Sequence, residues 1–206
     1  MSVYTVAITG ASGAIYGVTL VDQLAAAGHD LALVVSPDGV TVVKEETGID
    51  WSGKPETVRR HLDRRYGGRV TWWEPTDFYA PIASGSHLTD GMIIAPCSMK
   101  TAAAVAHGLS SGLIERAADV TLKERRPLIV VPRETPFSSI HLENLLALSR
   151  AGAHVVPAMP AFYHHPKSID DLVGFVVGRV LDHLGVPQTL IPRWGEGRAP
   201  GRPHGR

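Results

Sequence analysis

The chain has 206 residues, 44% of them apolar, with 20 Lys and Arg balancing 20 Asp and Glu. That length suits one domain with a sizeable core. Zero formal net charge gives no global attraction to nucleic acid or to an anionic membrane. The one cysteine, Cys97, excludes an internal disulfide and fits a reducing compartment. No apolar run approaches the roughly 20 residues of a membrane span. The N-terminal MSVYTVAITG reads as a strand with no basic leader, so the cytoplasm is the expected location.

The expected elements alternate. Val3–Thr9 is an apolar strand, Gly10–Gly13 a tight turn, and Ala14–Ala27 a helix stopped by Gly28. Asp30–Val35 is a second strand, after which Ser36 and Pro37 open a helix as N-cap and first residue. Residues 53–69 are polar and read as a peripheral helix. Gly91–Ala95 is a buried strand ended by Pro96, followed by helices at Ser98–His107 and Leu113–Glu124. Then come the strand Leu128–Val131, the helix Ser139–Arg150, the strand Ala153–Val156 and the helix Ile169–Leu184. Purely apolar strands alternating with helices predict an α/β fold: a doubly wound parallel sheet in a flavodoxin- or Rossmann-like three-layer sandwich. Residues 1–192 form one domain in this reading. The segment 193–206 is rich in Gly, Pro and Arg and is expected to be disordered beyond Trp194.

Three stretches carry chemistry. TGASGA (9–14) follows the first strand, and its small residues let backbone approach a ligand at a helix N-terminus. The spacing lacks the third glycine of a dinucleotide fingerprint, and Ser36 rather than an acid follows the second strand, which argues against NAD. A mononucleotide or another phosphate remains open, as does a bare helix-starting turn. APCSMKT (95–101) ends another buried strand and offers a second phosphate or heterocycle cradle through Ser98 and Thr101. Arg133 and Glu134 leave the end of the 128–131 strand, where open α/β sheets place ligands. Such a pair can bind an anion and move a proton at one spot, or form a surface ion pair. Cys97 has no base beside it in sequence and reads as buried and inert. The ten histidines make no metal-ligand spacing, and no serine-hydrolase elbow is present.

TGASGA, the Ser36 turn with Glu46-Thr47, PCSMKT, ERAADVTLKERRPLIVVPRETP, PAFYHHPKSIDDLVGFVVGRVLD and PRW together resemble the flavin prenyltransferase family (UbiX-type). Its members were formerly described as aromatic-acid or polyprenyl-hydroxybenzoate decarboxylases. The resemblance runs from about Val3 to Trp194. It implies that reduced FMN is a substrate and that dimethylallyl monophosphate supplies a five-carbon unit. The unit is joined to N5 and C6, giving prenylated FMN for a UbiD-type decarboxylase. It also implies a metal-independent homododecamer with sites between subunits. By position, Gly10, Ala11, Ser12, Ser36, Ser98, Met99, Lys100, Thr101, Arg116 and Arg133 would hold FMN. Lys123, Arg133, Tyr163 and Arg179 would hold the dimethylallyl phosphate, with Tyr163 and Arg179 arriving from a neighbouring subunit and Trp194 adding an aromatic wall. Glu134, Glu46, Ser12 and Lys123 would be catalytic. Phe78 stands where some relatives carry Trp. The alternatives are an FMN-dependent cysteine decarboxylase of the phosphopantothenoylcysteine type and a flavin carrier without chemistry. The first would want a histidine in 80–86 and a PxMNxxM segment, but 132–138 reads PRETPFS.

Overall fold

The computed structural model describes residues 1–191. The expectations for 193–206, including Trp194, lie outside the described residues. The chain runs β1 (Val3–Ile8), α1 (Ala14–Ala26), β2 (Asp30–Val35), α2 (Pro37–Thr47), α3 (Pro55–Tyr66) and β3 (Val70–Trp73). A 3₁₀ turn at Pro81–Ala83 leads to β4 (Gly91–Cys97), α4 (Met99–Ala106), α5 (Leu113–Lys123) and β5 (Leu128–Pro132). Then follow α6 (Ser139–Arg150), β6 (His154–Val155) and α7 (Ile169–His183).

The six strands form one parallel sheet in the order β3-β2-β1-β4-β5-β6. The strands are buried on both faces because their side chains alternate between two cores. Tyr4, Val6 and Ile8 of β1, with Leu31, Leu33 and Val35 of β2, face the core under α1, α2, α3 and α7. Ala7, Ala32, Val34, Met92, Ile94 and Val130 face the core under α4, α5 and α6. Fully burying side chains such as Leu33 or Ile93 contributes roughly 1.5–3 kcal/mol each. The three-layer sandwich is as expected.

Two elements differ from the sequence reading. Val70–Trp73 is an edge strand that the sequence analysis passed over. Pro96 does not end β4, which continues to Cys97. The ladder with β5 shifts between Ile94 and Cys97, so an extra residue is absorbed as a bulge at the proline. The bulge also changes the facing. Met92 and Ile94 point to the second core, and odd-numbered Cys97 joins them there.

The chain leaves β1 toward β2 on one side of the sheet and returns to β4 on the other. The β1/β4 boundary is therefore the topological switch point, where doubly wound sheets open a crevice at the strand ends. Thr9 locks that boundary. Its backbone N–H and its hydroxyl both donate to Pro96 O, at 3.2 and 2.8 Å, and its Oγ1 accepts from Ser98 N–H at 2.7 Å.

Candidate active site

Three helix N-termini meet over this crevice. Ser36 caps α2, its Oγ accepting from Gly39 N–H at 3.0 Å. Ser98 caps α4, its Oγ accepting from Thr101 N–H at 3.3 Å. Leu113 N–H, opening α5, donates to Pro75 O at 2.7 Å and so fixes the third start. Between them lies a cavity of about 370 Å³ lined by Gly10, Ser36, Asp38, Ser98, Lys100 and Thr101, together with Thr76, Ser111, Gly112 and Glu115. A Cβ at Gly10 would stand 2.4 Å from Asp38 Cβ, so only glycine lets the β1 turn close against α2. The cavity thus holds hydroxyl donors, one ammonium, free helix-start dipoles and the carboxylates of Asp38 and Glu115. That set matches a phosphorylated polyol such as the ribityl phosphate of a flavin mononucleotide.

Of the expected flavin contacts, Gly10, Ser36, Ser98, Lys100 and Thr101 line this cavity. Ala11 lies in the same turn and is buried, but does not line the cavity. Met99 belongs to the second core by its side chain, so at that position only backbone faces the cavity. Arg116 points elsewhere: its Nε donates to Ala83 O at 3.0 Å and it pairs with Asp119 at 3.0 Å. Asp38, Glu115 and Thr9 were missed by the sequence reading. Asp38 lies in the first turn of a helix whose start drew attention to Ser36 and Pro37.

Beside the cavity is the charged cluster. Glu46, near the end of α2, reaches the start of α1. Its carboxylate accepts from Gly13 N–H at 2.9 Å and Ala14 N–H at 2.8 Å. The helix start expected to offer N–H groups to a ligand anion is thus capped by a carboxylate of the chain itself. Arg133 crosses from the end of β5, and its Nε donates to Ser12 O at 3.2 Å. Tyr16 lies between them. Burial pushes its phenol above the usual value, the Arg133 charge opposes this, and the Glu46 charge reinforces it. Glu134 follows Arg133, with Oε1 accepting from Thr135 N–H at 3.0 Å. Glu46, Ser12, Arg133 and Glu134 therefore gather at one sheet edge.

Lys123 does not join them in the same chain. α5 runs antiparallel to the strands, so its last residue lies at the opposite, N-terminal edge of the sheet. There Lys123 pairs with Glu124, beside Gly85, ahead of β4. The span of β5 alone separates the two edges by about 16 Å. Arg179 lies toward the same N-terminal edge in α7, paired with Asp182 at 3.0 Å. One helical turn on, His183 packs at a 37° tilt on His154 at the start of β6, with centroids 4.9 Å apart. Tyr163 sits in the 157–168 loop, edge-on to His164 and Phe175 at 5.7 and 6.0 Å. Cys97 is fully buried, and burial first, then the Glu115 charge, push its thiol up to about 12. Among the described residues, no group of three or more His, Cys, Asp or Glu could hold a metal, and no helix is long and apolar enough to cross a membrane.

A doubly wound sheet with a polyol-phosphate cavity at its switch point defines a class, and comparison agrees with it. Residues 3–181 match the family model Flavoprotein. A Flavin prenyltransferase UbiX from Pseudomonas aeruginosa is 50% identical over 195 residues, 93% of each chain. The structure of AnUbiX (PadA1) in complex with FMN and dimethylallyl pyrophosphate is 41% identical, with a TM-score of 0.86 over 96% of this chain and 99% of that one. A dodecameric FMN-dependent UbiX-like decarboxylase from Escherichia coli O157:H7 is 45% identical, with a TM-score of 0.84 over 93% and 98%. The chain belongs to the UbiX-type flavin prenyltransferase family.

Proposed function

We propose that the chain transfers a dimethylallyl group from dimethylallyl monophosphate to N5 and C6 of reduced FMN, making prenylated FMN for a UbiD-type decarboxylase. The observation that carries this reading is the placement of Arg133 against the Ser12 turn, with Glu46 and Glu134 on either side, next to the hydroxyl-lined cavity. Reduced FMN supplies the electron-rich N5 and C6 that receive the prenyl unit. Ser36, Ser98, Lys100 and Thr101 hold its phosphate and ribityl chain in this reading, with Asp38 and Glu115 accepting from ribityl hydroxyls.

A monophosphate leaves poorly, so charge must be neutralised as the C–O bond breaks. Arg133 offers a planar fork to phosphate and flavin together. Lys123 and Arg179 add charge, each preorganised donor being worth a few kcal/mol in such a site. Because Lys123 lies at the far sheet edge of its own chain, it reaches the crevice only from another copy. The active species is therefore a homo-oligomer whose sites are completed across subunits, and a dodecamer fits the assembly of the relative. Glu134 is placed to take up the proton that the ring gives up, with Glu46 and Ser12 relaying it. The family relatives favour this reading over a cysteine decarboxylase or a carrier.

Anaerobic incubation with FMN, a reductant and dimethylallyl monophosphate tests it. The expected product is a flavin heavier by one prenyl unit. Unchanged flavin mass with bound FMN would leave a carrier instead. A parallel reaction with the diphosphate separates the two donors.

A further inference from the structure

Seven α-helices end among the described residues, and six are followed by a left-handed glycine, from Gly28 after α1 to Gly185 after α7. The exception is α5, where the left-handed residue is Arg125 at φ 57°. The closure itself is ordinary. Arg126 N–H donates to Thr121 O at 2.9 Å and Arg125 N–H to Leu122 O at 3.0 Å. Glycine takes this conformation freely, whereas a side chain is sterically disfavoured in it. The fold needs only glycine here, so the arginine side chain is kept at a conformational cost.

That side chain lines a cavity of about 330 Å³ with Arg126 and His154 on its polar side and Leu122, Pro127 and Ala151 on its apolar side. No acidic residue lines it. The Arg126 guanidinium is fixed by neutral acceptors, Gly85 O at 2.8 Å and His87 O at 2.7 Å, and its charge is also felt by Glu124 outside the cavity. Glu124 is engaged by Lys123, and Asp182 by Arg179. The Arg125 guanidinium has no hydrogen bond or ion pair among the described residues. His154 is steadied by its packing on His183.

We infer that this cavity, at the sheet edge opposite the β1/β4 crevice, is a second anion site that takes a phosphoryl group. Arg125 supplies the free fork and Arg126 a fixed charge, the pairing suited to tetrahedral oxyanions. The apolar wall leaves room for the organic part of a small phosphate ester. The same edge carries Lys123, which the proposed function sends to a neighbouring crevice, so sites are counted on the full oligomer.

The test counts phosphate bound per chain on the full oligomer by isothermal titration, with inorganic phosphate and then phenyl phosphate, in the wild type and in Arg125→Gly. Arg125→Gly should bind one phosphate fewer per chain, while its Tm stays equal to or above the wild type because glycine suits φ 57°. Tighter phenyl phosphate binding at the lost site would assign it to an ester, and tighter inorganic phosphate binding to the free ion. An unchanged count in a folded Arg125→Gly protein overturns the proposal.

Discussion

At the residue scale, Arg133 and Glu134 leave one strand end, but the proposed reaction gives them different roles. Arg133 works through charge and a fork, so Arg133→Lys should mainly weaken FMN and phosphate binding. Glu134 works through basicity. Glu134→Gln keeps the shape and should leave FMN affinity nearly intact while turnover falls about 10²–10⁴-fold. Flavin absorbance titration beside product mass checks both halves, and wild-type turnover in Glu134→Gln would remove it from the mechanism. Cys97 gives a contrasting case. With its thiol held near pH 12 and no exposed surface, iodoacetamide at pH 8 should label it only after unfolding, and Cys97→Ala should stay active. The placement of Arg133 and Glu134 and the burial of Cys97 were legible in the sequence because each depends on position relative to an apolar strand. Thr9 was not legible. A threonine at a strand end gives no sign that its hydroxyl will bridge to a residue 87 positions away. Thr9→Val leaves Ser98 N–H without its partner and should cost about 1–3 kcal/mol in urea unfolding, with weaker FMN binding.

At the element scale, the helices and inner strands were readable because caps and apolar runs are local signals. The edge strand β3 was not. It is four residues long, alternates between buried and exposed, and directly follows a polar helix. The course of β4 through Pro96 was also hidden, since a bulge that accepts proline depends on the partner strand. Packing of α1 on β4 makes a sharp prediction. Gly→Ala inside a helix ordinarily stabilises by about 0.5–1 kcal/mol. At Gly17 the added Cβ would stand 2.2 Å from Ala95 O and 2.8 Å from Ile8 Cδ1, both in the sheet below. Gly17→Ala should therefore destabilise by roughly 1–3 kcal/mol, read as a lower urea midpoint, and should distort the crevice that Thr9 closes. The end of α7 carries a pH dependence. Partial burial first, then the His154 and Arg179 charges, hold His183 below the ordinary imidazole value. An imidazole favoured neutral in the fold stabilises above its unfolded pKa of about 6.5, and that stability is lost as pH falls below it. The drop in Tm between pH 7.5 and 5.5 should shrink in His183→Gln.

At the scale of the whole molecule, the proposed site is not completed by one chain. The sequence placed Lys123 among the phosphate contacts by resemblance, but nothing in its spacing showed which copy would deliver it. The antiparallel course of α5 ends Lys123 at the edge opposite Glu134 of the same chain, which under the proposed function assigns it to a neighbour's crevice. The proposed function requires a prenyl-transfer site at the β1/β4 crevice completed by a neighbour's Lys123. The most direct measurement mixes Lys123→Ala subunits with Glu134→Gln subunits under conditions where exchange is demonstrated and each variant alone is inactive. The mixed oligomers are then assayed anaerobically for prenylated FMN by mass. Product should return, because some crevices receive an intact Glu134 from one chain and an intact Lys123 from the next. Exchanged oligomers that yield no product would contradict the proposed function.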